Sequence, residues 1–448
     1  MKKHLIKNAR IVNEGSVIEG DVLIKNGIIE QIDESISLKD GETKLIDING
    51  SFLMPGVIDD QVHFREPGLT QKANIQTESI AAVAGGTTSY IEQPNTVPQA
   101  TTLEILEQKY DIGAASSIAN YSFNLGATND NLEELKRASK ENIAGIKIFM
   151  GSSTGNMLVD NQDVLEKIFA EVNHQLIAHC EDEGTVQRNF EKFKEKYGDD
   201  IPMKYHPEIR SSEACFLSSN YAINLAKKHD SRFHVYHVST ERETALFSNS
   251  KPLGEKKITS EACIHHLWFD DSSYDEKGTL IKWNPAVKTA DDREGIWKAL
   301  LDDRIDVIAT DHAPHTLEEK NNPYTKAPSG GPLVQHSLVT MMRFVLEGKI
   351  TVEKMVEKMC HNPAILFGVK NRGFIREGYA ADLVVVDPAK PWSVNQDNIL
   401  AQCGWSPFEG QTFRSRVTHT FVNGNLVYNQ GKINSEVMGQ RLLFDRNW

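Results

Sequence analysis

No stretch of this chain is apolar for long enough to span a bilayer. The first residues, MKKHLIKNARIVNEG, hold no run of signal-peptide length. Cysteine is scarce. Cys180, Cys215, Cys263, Cys360 and Cys403 are odd in number, widely spaced and never in a CxxC pair. That argues against a disulfide framework or a Cys-based zinc knuckle and for a reducing compartment. Positive charge is in deficit: 49 Lys and Arg stand against 62 Asp and Glu, a formal net charge of −13. Such a surface repels nucleic acid and anionic membrane, so an anionic ligand needs a locally placed cation. There is no phosphate-cradling GxxxxGK[ST], no glycine fingerprint after a strand, no low-complexity tract and no tandem repeat. These absences leave a cytoplasmic protein acting on a small molecule, with no nucleic-acid or membrane partner.

A chain of 448 residues is long enough for a large α/β unit with an appended module. Residues 1–53 alternate apolar and polar side chains with Asn-Gly and Gly at the turns, which reads as a small antiparallel β unit. Residues 54–369 change texture. GTTSYIEQPN, IAGIKIFMG, QLIAHCEDE, RFHVYHVS, KITSEACIHH and DVIATDHAPH read as buried strands. QTESIAAVAGG, LEELKRASKE, NQDVLEKIFAEVN, FLSSNYAINLAKKHD and REGIWKALLDD read as amphipathic helices. So many β-then-α units favour a (β/α)8 TIM barrel over an open sheet. Residues 370–448 return to β texture, with an Asn-Gly turn in RVTHTFVNGNLVYNQGK. The expected architecture is α/β: a barrel over 54–369 flanked by a β-sandwich built from 1–53 and 370–448.

In a barrel of this kind the chemistry sits where strands end and loops begin. His63 and Arg65 follow VID, Asn95 follows YIEQP, Lys147 lies within GIKIF, His179 follows LIA, His237 follows HVY and Asp311 follows VIAT. One such histidine is ordinary; this recurrence is not. Imidazole and carboxylate donors suit Zn²⁺, with Mn²⁺ or Co²⁺ as other fits. Lys147 inside an apolar strand is costly as an ammonium. A neutral amine there can take up CO₂ to form a carbamate, an anionic ligand able to bridge two metals. His4, His174, His229 and His361 lie in polar or helical contexts and are expected at the surface. His265 and His266 line a loop or simply pack. The neighbour of His179, Cys180, points away from the ligand face of a regular strand.

The segments PGVIDDQVHFREPG, EQPNT, GIKIF, IAHCEDE, HVYHVST, EACIHHL, KWNPAVK and ATDHAPHT, in this order and spacing, resemble the amidohydrolase superfamily and, within it, the dihydroorotases. The resemblance runs over nearly the whole chain. It implies reversible, zinc-dependent interconversion of dihydroorotate and carbamoyl aspartate in pyrimidine synthesis. It implies His63, a carbamylated Lys147, His179, His237 and Asp311 as metal ligands, with Asp311 also the proton shuttle. Arg65, Asn95 and His315 would hold the substrate carboxylate, and Asn284, Ser329 and Gly330 would line the ring. A homodimer is the family expectation. The stretch from Asn321 to Gly331 is the candidate for closing over the substrate.

One residue departs from the pattern. Where the family reads HVHxR, this chain reads QVHFR, with Gln61 in place of an imidazole. An amide oxygen is a weaker zinc ligand, so the first of two metal positions is weakened. Asp60 beside it points the opposite way along a strand. Gln61 motivates a second reading, a catalytically silent relative that partners a carbamoyltransferase. Another cyclic amidase, an allantoinase or a dihydropyrimidinase, is a third. Against the latter stands Arg65, whose planar guanidinium pairs two-pronged with a carboxylate that those ring substrates do not present in the same way.

Overall fold

The computed structural model describes residues 3–38, 41, 43–151 and 157–446. The two ends of the chain meet in one sheet. β1 (Lys3–Asn13), β2 (Ser16–Lys25), β3 (Ile28–Asp33), β4 (Lys44–Asp47) and β5 (Phe52–Pro55) come from the N-terminal segment. Asn26 and Gly27, both at positive φ, turn β2 into β3. β1, β2 and β3 pair antiparallel, as the turn signals require. β4 and β5, however, both run parallel to β1, so the unit expected to be antiparallel is mixed. No tight turn joins β3 to β4, and a longer connection lets the chain cross to the far edge of β1.

The parallel strands follow: β6 (Val57–Val62), β7 (Thr87–Glu92), β8 (Asn120–Phe123), β9 (Leu125–Gly126), β10 (Ile146–Phe149), β11 (Leu176–His179), β12 (Phe233–Val235), β13 (Ile258–Cys263) and β14 (Val307–Ala309). They form two parallel sheets, β6-β7-β8 and β9 through β14 in sequence order. A single residue, Asn124, separates β8 from β9, and its N–H donates to Glu92 O of β7. At the other end a parallel bridge joins Val62 to His312, and the His63 N–H donates to His312 O at 2.6 Å. β6, β7, β10, β11 and β14 are buried along their whole length, which is why they read as continuous runs rather than alternating ones. Helices such as Ile75–Ala84, Gln162–Glu171, Ser212–His229 and Ala290–Leu301 connect them.

β15 (Leu383–Asp387), β16 (Trp392–Ser393), β17 (Thr412–Phe413), β18 (Arg416–Val422), β19 (Asn425–Asn429) and β20 (Lys432–Ile433) close the chain. Antiparallel pairing of β15 with β5, Leu383 opposite Pro55, joins the C-terminal strands to the N-terminal ones in a nine-stranded sheet. Its apolar residues from both ends, among them Ile11, Ile24, Leu53, Leu383 and Phe421, form their own cluster. Gly56 alone links β5 to β6. A Cβ there would stand 2.1 Å from Thr88 Oγ1, so only glycine lets the terminal sheet run straight into the parallel strands.

Several elements lay outside the sequence reading. β8 carries Asn120 and Ser122, polar side chains that are buried and satisfied by Asp382 and Tyr110 respectively. The helices Leu103–Ser116 and Ser337–Leu346 also lay outside it, whereas the charged run around Glu195, which reads as a solvated helix face, lies in the helix Glu183–Tyr197. His4, His174 and His361, expected at the surface, are buried. His174 Nδ1 accepts from the Gln175 N–H and His361 packs flat on Phe374, so local hydrogen bonds and stacking offset the burial. All five cysteines are free thiols. Among the described residues no helix is long and apolar enough to cross a membrane.

Candidate active site

A cavity of about 90 Å³ opens where the parallel strands end, lined by Gln61, His63, Arg65, Asn95, Lys147, His179, His237, Asn284, Asp311, Ser329 and Gly330. His315 stands immediately behind, its Nε2 3.0 Å from both Arg65 Nη2 and Ser329 O. Twelve dispersed sequence positions therefore converge. Phe149, Trp283 and Ala313 also line the cavity and carried no sequence signal of their own. A larger surface cleft of about 540 Å³ beside Asn26 and Asn423 is lined by no imidazole or carboxylate. Arg65, His237 and Asp311 all adopt left-handed backbone, at φ 68°, 40° and 50°. For residues with a Cβ this costs about 1–2 kcal/mol each, a strain typical of functional positions.

The hydrogen bonds fix the imidazoles. His63 Nδ1 lies 2.9 Å from Asn95 Oδ1, and since only the ring nitrogen can donate, Nε2 keeps its lone pair toward Asp311 Oδ1 at 3.2 Å. His179 Nε2 lies 2.9 Å from Glu181 Oε2, which likewise leaves its Nδ1 lone pair facing His237 Nε2 at 2.9 Å. Glu181 is itself paired with Arg210. Burial pushes its carboxyl up, but Arg210 and His179 outweigh burial and hold it below the usual carboxylate range. Sequence reasoning gave Glu181 no role. Its position two residues beyond His179, on the same side of an extended chain, was the available signal. Burial lowers the pKa of His63, His179 and His237, so all three stay neutral and able to donate a lone pair to a metal.

Lys147 is fully buried in β10, its Nζ 4.0 Å from the centre of the Tyr236 ring and 4.9 Å from that of Phe149. Burial brings its amine down to about 7. A substantial neutral fraction therefore exists near neutrality, which CO₂ uptake requires. Arg65 is buried too, and its Nε donates to Pro314 O at 3.0 Å. Burial lowers its guanidinium to about 10, so it remains a cation at neutral pH. No carboxylate of the described residues lies within ion-pair distance of it. Its neighbour Glu66 instead accepts from the Ile75 N–H.

Gln61 faces the cavity, and its Oε1 accepts from the Cys263 thiol at 3.6 Å. Asp60 does not take its place. Its carboxylate lies with buried His234 and Glu261, His234 Nε2 being 3.5 Å from Asp60 Oδ2 and from Glu261 Oε2. Burial lowers His234, yet the two carboxylates overcome it and raise the imidazole to about 9. Burial and Asp60 push the Glu261 carboxyl up to about 8, so a single imidazolium can offset the one charge that remains. The three ligand atoms all lie within 4.8 Å, close enough to hold a metal ion instead of that proton. His265 and His266 are buried by packing, His265 stacked on Trp283. Cys180 is buried, and burial drives its thiol well above the ordinary range, which rules it out as a nucleophile.

The sequence profile of the Amidohydrolase family matches residues 52–427. This chain belongs to the amidohydrolase family. Dihydroorotases of Enterococcus faecalis and Methanosphaera stadtmanae are 34% and 30% identical to this amidohydrolase, over 96% and 95% of its chain and 99% and 96% of theirs. The solved structure of an L-hydantoinase (dihydropyrimidinase) from Arthrobacter aurescens superposes with a TM-score of 0.93 at 27% identity, covering 99% of this chain and 100% of that one. The family is generally metal-dependent. The donors of this amidohydrolase fit a metal ion: neutral imidazoles with free lone pairs, a carboxylate, and a buried amine able to lose its proton.

Proposed function

We propose that this amidohydrolase is a dihydroorotase, interconverting (S)-dihydroorotate and N-carbamoyl-L-aspartate in the de novo synthesis of UMP. One observation carries the reading: Arg65, a buried cation without a carboxylate partner among the described residues, lines the same cavity as His63, Lys147, His179, His237 and Asp311. A ring substrate bearing a carboxylate supplies the missing counter-charge. In this reading β6 to β14 close a (β/α)8 barrel over residues 54–369. The single-residue gap at Asn124 and the Val62–His312 bridge support that closure. Residues 1–53 and 370–448 form the flanking β-sandwich.

Zinc is the proposed metal, held by Lys147 as a carbamate, His179, His237 and Asp311, with His63 at the position that Gln61 weakens. When bound it lowers the pKa of water towards neutrality and polarises a carbonyl. The chain does the rest. Arg65 binds the substrate carboxylate, with the Asn95 amide N–H group beside it, since the Asn95 oxygen is taken by His63. His315 backs the guanidinium, with its own ring nitrogens against Ser329 O and Lys72. Asn284, Ser329 and Gly330 orient the ring. Asp311 accepts the proton of the attacking water and delivers it to the departing ring nitrogen; in ring closure it works in reverse. The protein is placed in the cytoplasm as a homodimer, with association with a carbamoyltransferase as a further proposal.

Zinc per chain measured together with dihydroorotate turnover tests the proposal. Turnover with at least one zinc, lost about a hundredfold or more in Asp311→Asn, is the expected result. Metal without turnover favours the silent-partner reading, for which the Gln61–Cys263 contact is the motive. Turnover of hydantoins or dihydropyrimidines in place of dihydroorotate favours the other cyclic amidases.

A further inference from the structure

Beside the cavity lie two more buried lysines that the proposed mechanism leaves unused. Lys320 is fully buried, and its Nζ donates to Gly330 O at 2.8 Å, to Pro328 O at 2.9 Å and, more weakly, to Lys282 O at 3.4 Å. Lys282 Nζ donates to Tyr324 O and Ala327 O, both at 2.6 Å. Neither ammonium has a carboxylate within ion-pair distance among the described residues. The backbone closes the arrangement, since the Gly330 N–H donates to Lys282 O at 2.8 Å. Tyr324 is tied as well, its hydroxyl 2.7 Å from His206 Nδ1, while His206 Nε2 donates to Trp283 O at 2.6 Å. These contacts clamp 324–330 onto 282–284. The clamped segments meet in the cavity, where the Ser329 hydroxyl donates to Asn284 Oδ1 at 2.9 Å.

Carbonyl oxygens satisfy an ammonium's hydrogen bonds but not its charge. Ring faces help, Lys282 Nζ lying 4.3 Å from the centre of the Tyr324 ring and Lys320 Nζ 5.9 Å from that of Trp405. A buried cation solvated only by dipoles and ring faces is still expensive, and a hydrophobic side chain with a loop of ordinary turn chemistry would hold a segment more cheaply. Burial lowers the pKa of both amines, Lys282 to about 7, and Arg210 adds to the effect on Lys282. Three carbonyl acceptors around Lys320 Nζ match the three N–H groups that only the ammonium carries. With Arg65, Lys320 thus places two cations lacking ion-pair partners among the described residues beside one small site in a chain of net charge −13. Lys282 adds a further charge in the fraction that keeps its proton. In a low-dielectric interior that concentration of positive potential acts on whatever enters.

We infer that Lys320 and Lys282 are positioning residues that hold Ser329 and Gly330 at the cavity and make the site selective for an anionic ring. The inference rests on the dihydroorotase reading. It goes beyond that reading by assigning selectivity to two lysines that do not touch the substrate. It also reverses the sequence-based expectation for Asn321–Gly331, whose second half is pinned in place rather than poised to close.

The test uses binding rather than turnover. Orotate, which carries the ring carboxylate, and uracil, which lacks it, are titrated calorimetrically into zinc-loaded wild type, Lys320→Met, Lys320→Gln and Lys282→Met, with melting curves to confirm folding. Lys320→Gln keeps hydrogen-bond donors for the carbonyls but removes the charge, and so separates clamp from charge. The expected result is a tenfold or greater loss of orotate affinity in all three variants. Uracil binding should change less than threefold in Lys320→Gln. Steady-state kinetics should then show KM for dihydroorotate rising more than kcat falls. Equal losses for orotate and uracil in Lys320→Gln overturn the selectivity, and unchanged orotate binding in all three variants overturns the inference. Failure of the wild type itself to bind orotate would instead sink the dihydroorotase reading.

Discussion

Replacing Arg65 with methionine should make the ligand-free protein more stable and the enzyme much worse. Burial lowers the Arg65 guanidinium from its ordinary value to about 10, with Asp311 and Glu92 only partly offsetting it. At about 1.4 kcal/mol for each pH unit, that gap holds roughly 3 kcal/mol against the folded, ligand-free state. The folded value lies below the unfolded one, so the penalty is complete below pH about 10 and fades only as pH rises from there toward the ordinary guanidinium value. It is therefore constant across neutral pH. Methionine removes the charge at similar volume, but it orphans the Pro314 carbonyl that accepts from Nε, a loss of about 1 kcal/mol. The net gain is about 1–2 kcal/mol, or roughly 1–2 °C in melting temperature for a chain of this length. The same substitution removes a two-pronged, charge-assisted contact with the substrate carboxylate, about 3–5 kcal/mol, so kcat/KM for dihydroorotate should fall by about two to four orders of magnitude. Scanning calorimetry of the ligand-free variant from pH 6 to 8 and steady-state kinetics read both effects. A variant that melts lower than wild type, or that keeps kcat/KM within threefold, refutes the assignment of Arg65 as a cation awaiting its counter-charge.

Three other substitutions probe parts of the framework that the site depends on. Glu181→Gln removes the charged acceptor that fixes the His179 tautomer, and zinc affinity by competition with a chelator should fall about 10–100-fold; unchanged affinity would show that the 2.9 Å contact does not orient the ring. His174 is held down to about 3 by burial and then by Arg446, below its ordinary 6.5, so stability is lost as pH falls below 6.5. From pH 6.5 to 5 the loss attributable to this residue is about 2 kcal/mol; urea denaturation at both pH values should show His174→Gln losing that much less than wild type, and parallel losses would contradict it. Gly56→Ala places a methyl 2.1 Å from Thr88 Oγ1 and should cost about 3 kcal/mol or leave no soluble protein; a wild-type melting curve would mean the linker between β5 and β6 can shift.

Much of the site could be read before any coordinates, because strand ends are short, apolar and punctuated by polar residues. His63, Lys147, His179, His237 and Asp311 were each visible as a polar residue in or just after a run of buried ones, and all five line one cavity. Asp60 shows the same local logic working in reverse. Strand alternation turned it away from Gln61, and it does lie with His234 and Glu261. The misreadings have a common cause. β8 was overlooked because Asn120 and Ser122 make it look like a loop, and their partners Asp382 and Tyr110 are distant in sequence. His174 and His361 were assigned to the surface because local polarity carries no information about what covers a residue. The parallel pairing of β4 and β5 with β1 was missed because turn chemistry describes adjacent strands only.

By itself the sequence determined which chemistry was available: the donor types, their order along the chain, the deficit of positive charge that makes Arg65 conspicuous, and the substitution of Gln61 for an imidazole. These are matters of residue identity and local period, written in one dimension. Only the tertiary structure decided which atom of each donor is free and which charges lack partners. The tautomer of His63 depends on Asn95, that of His179 on Glu181, and the ammonium of Lys320 on the carbonyls of Pro328 and Gly330. Burial and hydrogen-bond direction set protonation, and both are fixed by side chains that packing, not adjacency, brings together.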